Sequence, residues 1–260
     1  MFETRALSAP VASVRDAYLP EAIVLDCARD FETLVPAQAE GLGPLVEALE
    51  PSSYPSAWVP SSAPRLLHRY ASNDFTIGMP GDGAVAWTRQ TTPPVVLVKP
   101  RIRGSPAEFV DFLLAEALLE AALDVPEHFL GFFEAEYPRL DESVPLDSNA
   151  TYQIAAALFD AWVGLHTREH FAAWSDDHPD LFEAWQDAGT RLEDRVSDLP
   201  RAVAHGETDL ADAAELAGAA VKHAIEIPAP FAALDTGAYR NHGPSYAIRW
   251  AEKTFEALIE

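Results

Sequence analysis

His166, Glu169 and His170 stand at the spacing H-x-x-E-H in a segment with helical periodicity. At about 100° per residue, positions four apart lie one turn above another, so two imidazoles can share one Zn²⁺ and the carboxylate can serve as a base. Glu116 is a second candidate for acid or base chemistry, because it falls between Phe109, Phe112 and Leu123 with Glu120 one turn on. Burial penalises an unpaired carboxylate and raises its pKa, which fits a proton donor, a base or a metal ligand. Two groups of cations are candidate anion sites. Lys99, Arg101 and Arg103 alternate just ahead of a helix start, and Arg240 and His242 stand in a polar, aromatic loop from Tyr239 to Tyr246. Cations beside a helix N-terminus can hold a carboxylate or phosphate.

Each group has a plainer reading. His170 and Arg168 suit an exposed helix end, where cations favour the C-terminal dipole. Glu116 and Glu120 can reach the helix edge and meet an arginine, and the three cations after the strand can neutralise neighbouring acids. Arg240 and His242 can anchor the last helix by pairing with Glu116 or Glu120.

The stretch from Gly164 to His170 resembles the inverted zinc motif of the pitrilysin and insulinase peptidases. That resemblance implies His166 and His170 as ligands, Glu169 as base, and a downstream glutamate as third ligand, for which Glu207, Glu215, Glu226 and Glu252 are all available. It also implies strands after the motif, whereas everything after His170 reads as helix. A sheet followed by two long helices is similar to a minimal zincin layout. On that likeness H-E-x-x-H would fall on Ala115 to Leu119, where only Glu116 remains and both histidines are missing.

The elements that position these residues centre on Val95 to Leu123. Val95 to Val98 form a β-branched run bounded by prolines, which suits a strand covered on both faces. Ser105, Pro106 and Glu108 predict a helix start with a capping box, and the apolar residues that follow predict a central helix. Upstream, the pattern predicts helices over Pro10 to Tyr18, Pro36 to Glu50 and from Pro64, with a strand at Ile23 to Asp26. FTIGM, a turn at Pro80 to Gly83 and AVAWTRQ read as a hairpin. Downstream, helices are expected over Glu127 to Tyr137, Ala150 to Trp174 (with Asn149 in its N-cap), Pro179 to Asp198, Asp209 to Ile225 and Pro244 to Ile259, with an acidic loop at Pro138 to Asp147. The fold class is α+β: a small antiparallel sheet of three or more strands, about residues 75–100, packed against a predominantly helical body in a single domain of residues 1–260.

The net charge of −23 bounds the function. Phosphate contacts need clustered Lys and Arg, so a nucleic-acid partner is not expected. No signal peptide or apolar run of spanning length occurs, so no membrane partner is expected either and the location reads as cytoplasmic. Cys27, the one cysteine, excludes an internal disulfide and reads as a core residue. Lysine occurs only at positions 99, 222 and 253. An acid-rich surface nearly free of lysine suits a salt-rich cell interior, where screening softens self-repulsion.

From FETRALSAP through DFTIGMPGDGAVAWTRQ and SPAEFVDFLLAEALLE to HGPSYAIRWAEKTFEAL, the chain resembles a haloarchaeal family of uncharacterised proteins, a domain of unknown function. The resemblance brings no activity with it. The expectation is a soluble haloarchaeal protein with a non-enzymatic binding or interaction role, no cofactor and a partner that the sequence leaves open. The alternative is a zinc-dependent, peptidase-like hydrolase using His166, Glu169 and His170.

Overall fold

Two largely apolar segments, Ile23–Cys27 (β2), interrupted by Asp26, and Val95–Val98 (β6), lie side by side in parallel, with Leu25 beside Leu97 and Val24 beside Val96. Runs of this kind need cover on both faces, which a central place in the sheet provides. Phe2–Thr4 (β1) and Val85–Thr88 (β4) pair antiparallel on the outside, giving the order β1-β2-β6-β4. Ala48–Leu49 (β3) and Thr91–Thr92 (β5) form a second, two-stranded sheet. The computed structural model describes residues 2–72, 74–81 and 83–259. Its helices are α1 (Ala9–Tyr18), α2 (Pro36–Ala39), α3 (Arg65–Tyr70), α4 (Ala107–Ala122), α5 (Phe129–Phe133), α6 (Tyr137–Ser143), α7 (Ser148–Asp177), α8 (Pro179–Val196), α9 (Leu199–Ala204), α10 (Leu210–Lys222) and α11 (Gly237–Ile259). Among the described residues no helix is long and apolar enough to cross a membrane.

The α+β class holds, but the sheet is mixed and draws β1 and β2 from the first 27 residues, so an antiparallel sheet confined to residues 75–100 is corrected. Reading hairpins between neighbours in sequence hides a parallel pair, whose strands are joined through a long crossover. FTIGM adds no strand. Its pairing is the single bridge from Ile77 to Leu34, and positive φ values at Gly78 and Gly81 turn the chain instead. Asp82, inside the expected turn, lies outside the described residues.

Helix boundaries differ for local reasons. Pro36 to Glu50 does not run through as one helix, because Gly41, Gly43 and Pro44 turn it into a 3-10 segment after α2. The expected capping box is not made: α4 starts at Ala107 after Pro106, with no side-chain cap. Pro138 to Asp147 is not all loop, since Pro138 sits in the first turn of α6, where a missing N–H costs nothing. At the start of α7 the carboxylate of Asp147 accepts from the N–H groups of Asn149 and Ala150, so Asp147 takes the capping role expected of Asn149.

Contacts group the chain into two compact units. The first comprises Met1–Tyr54, Arg69–Glu127 and Trp174–Ala184. There α4 packs on α1, β4 and β6. Leu25, Cys27, Val95 and Leu97 share a cluster with Leu34, Leu42 and Ile77, as the two-residue strand period requires. The second comprises Pro55–His68, His128–Ala173 and Trp185–Glu260. Its core holds the rings of Phe129, Phe132, Phe133, Tyr137 and Phe159, and α7 and α10 meet at glycines.

Candidate functional site

The H-x-x-E-H residues lie on α7, where ion pairs hold the polar side chains between them. Glu169 is exposed and accepts from Arg240 at 2.8 Å, which keeps its carboxyl below the usual range. Arg168 donates to Asp235 and to the Val221 carbonyl. His166 packs its ring on Trp162 with centroids 4.3 Å apart, and burial, followed by the Arg240 charge, lowers its pKa. His170 is half-buried. Zinc needs a third ligand, yet among the described residues no group of three or more His, Cys, Asp or Glu is placed to hold a metal. Glu169, the expected base, is committed to Arg240. Gly164 has a packing role: a Cβ there would stand 2.9 Å from the Lys222 Cα of α10.

Lys99, Arg101 and Arg103 are not brought together. A 3-10 turn at Pro100–Ile102 ends the extended backbone that would align them. Lys99 is fully buried with its ammonium 4.9 Å from the centre of the Phe31 ring. Arg101 is held by Asp30 at 2.8 Å and Glu32 at 2.7 Å, and its guanidinium holds the Asp30 carboxyl below its ordinary range. Arg103 is exposed.

Tyr239 to Tyr246 is helical with a kink, not a loop: Gly243 takes φ 44° and ψ −118° inside α11. Tyr239 is fully buried and donates to the Leu158 carbonyl at 2.6 Å, and Trp162 donates to the Arg240 carbonyl at 3.2 Å. Arg240 therefore braces α11 against α7 through Glu169, while His242 is exposed. Glu116 is buried in α4, and Glu120 accepts from the indole of Trp87 at 3.0 Å. Burial and the Asp26 charge push the Cys27 thiol up to about 12, so little of it is a nucleophilic thiolate at neutral pH.

Two polar positions, Glu127 half-buried and His128 buried, carried no signal in the sequence. Glu127 accepts from the Thr88 hydroxyl, the Gln90 amide and the Arg89 N–H, and desolvation raises its pKa despite them. His128 caps α5 by accepting the Leu130 N–H at 3.0 Å.

A cavity was also missed. In the second unit a cavity of about 560 Å³ has Val203, Leu210, Phe231 and Trp250 in its walls, with Tyr246, Arg249, Lys253 and Thr254 on the α11 side. It falls within the roughly 300–1,000 Å³ of small-molecule pockets. The Trp250 indole donates to the Pro230 carbonyl at 3.0 Å and packs on Phe231, which fixes the orientation of its ring in the wall. A signal did exist: Tyr246, Arg249 and Trp250, Lys253 and Thr254, and Ala257 recur at three- and four-residue steps, which places them on one stripe of α11.

One protein family matches residues 1–258: Family of unknown function (DUF7089). No curated protein and no solved structure matches the chain.

Proposed function

Because the chain belongs to this family of unknown function, we propose its role from its own geometry: it is a non-enzymatic protein that binds a small molecule in the cavity of the second unit. The observation that carries this reading is the cavity itself, apolar walls around an opening with a few polar groups, the usual form of a ligand site. The residues with the most reactive spacing, His166, Glu169, Arg168 and Arg240, support it from the other side, since Arg168 and Arg240 tie helices together through Asp235 and Glu169. The reading includes a cytoplasmic, haloarchaeal protein, supported by its net charge of −23 and three lysines.

The test is a titration with a fluorescent apolar probe, anilinonaphthalene sulfonate, followed by the same titration of Ala233→Trp, a substitution in the cavity wall. Saturable binding of one probe per chain, lost in the variant while its melting temperature is kept, is the expected result. Binding that Ala233→Trp leaves unchanged would place the probe elsewhere and end the proposal.

A further inference from the structure

We infer that the ligand is a small amphipathic anion, its apolar body against Phe231 and Trp250 and its acidic group at Arg249 and Lys253. The inference rests on the ligand-binding reading above and adds the charge of what is bound. Arg249 and Lys253 stand one helical turn apart on α11, and both line the cavity. Cations are scarce in this chain, 18 against 41 acidic residues, and in the second unit Arg139, Arg168, Arg191, Arg201 and Arg240 each meet a carboxylate, while Arg65 and Arg195, which form no ion pair among the described residues, stand away from the cavity walls. Among the described residues no carboxylate lies within ion-pairing distance of Arg249 or Lys253. Two acids of the same region are engaged elsewhere: Glu252 accepts from Arg139 at 3.0 Å, and Asp209 caps α10 by accepting the Asp212 N–H at 2.8 Å.

The chemistry of the two positions is complementary. Arg249 donates from Nε to the Ser245 carbonyl at 3.2 Å and lies over the Tyr246 ring, so its guanidinium is oriented before any ligand arrives. A planar, oriented guanidinium suits a carboxylate, sulfonate or phosphate oxygen, and Lys253 adds a mobile second charge. Both side chains are exposed, at the rim of the apolar cavity, so their pull on an anion is strongest at low salt. In a protein whose net charge repels anions, two cations at an apolar cavity give one a place to stay. The competing account is that both side chains only lay their stems along apolar surface. A neutral ligand would then bind as well as a charged one.

Two probes of nearly one shape separate these accounts: anilinonaphthalene sulfonate, an anion, and N-phenylnaphthylamine, which is neutral. At the lowest salt in which the protein stays folded, the sulfonate should bind about tenfold more tightly than the amine. In the double variant Arg249→Gln, Lys253→Gln the sulfonate should lose that factor and the amine should keep its affinity. The charge-preserving double variant Arg249→Lys, Lys253→Arg should retain most of the preference, which separates charge from packing. Equal binding of both probes to the wild type, or equal losses for both in the Gln variant, overturns the inference and leaves the binding site standing. If neither probe binds in the cavity, the ligand-binding reading itself fails.

Discussion

His128 shows how far burial alone moves the chemistry of one side chain. Its ring is buried against Phe129, its Nδ1 accepts the Leu130 N–H, and desolvation pushes its pKa from 6.5 down to about 3. The unfolded chain therefore binds a proton that the folded one refuses. Stability present above pH 6.5 is lost as the pH falls towards 3, by about 1.4 kcal/mol per pH unit from this residue. His128→Asn keeps a capping acceptor and removes the titration, so urea unfolding at pH 7 and pH 4 should show a smaller acid loss than in the wild type. Equal losses would contradict the assignment. Arg240→Ala should cost less than about 1 kcal/mol, because its pair with Glu169 is well exposed; chemical denaturation measures it. The spacing of His166, Glu169 and His170 was legible, but what occupies those side chains was not. The partners of Arg168 stand 53 and 67 residues further along the chain, and no local pattern announces them.

At the scale of elements, the crossing of α7 and α10 depends on missing side chains. A Cβ on Gly218 would meet the Ala157 carbonyl oxygen at 2.9 Å, a backbone atom that cannot turn aside. Gly218→Ala should therefore destabilise by about 1–3 kcal/mol, as overpacking does. Gly237→Ala, where an added methyl meets open space, is the control and should be near neutral in the same thermal unfolding. Gly243→Ala should cost a similar 1–3 kcal/mol, roughly, because its φ is 44° and the Phe132 ring stands 3.2 Å from the new carbon. Long periodic elements such as α4, α7 and α10 were legible because their apolar spacing survives whatever they pack on. The parallel pairing of β2 with β6 was not, since it joins segments that nothing local connects, and the helix expected at Pro36 to Glu50 broke where Gly41, Gly43 and Pro44 outweigh its apolar period.

On the scale of the molecule, charge and cavity make separate demands. With a net charge of −23, self-repulsion opposes folding, and the screening length falls from about 10 Å at 0.1 M salt to about 3 Å at 1 M. The proposed adaptation to salt predicts a melting temperature that rises steadily with potassium chloride across that range; a flat or falling curve would contradict it. The charge was legible from composition alone, whereas the cavity was not, because α9, α10, the turn at Phe231–Leu234 and α11 each supply only part of its wall. The most direct measurement is a crystal structure of the protein with anilinonaphthalene sulfonate. The account predicts its rings against Phe231 and Trp250 with the sulfonate at Arg249 and Lys253; a probe bound elsewhere, with that cavity empty, would contradict it.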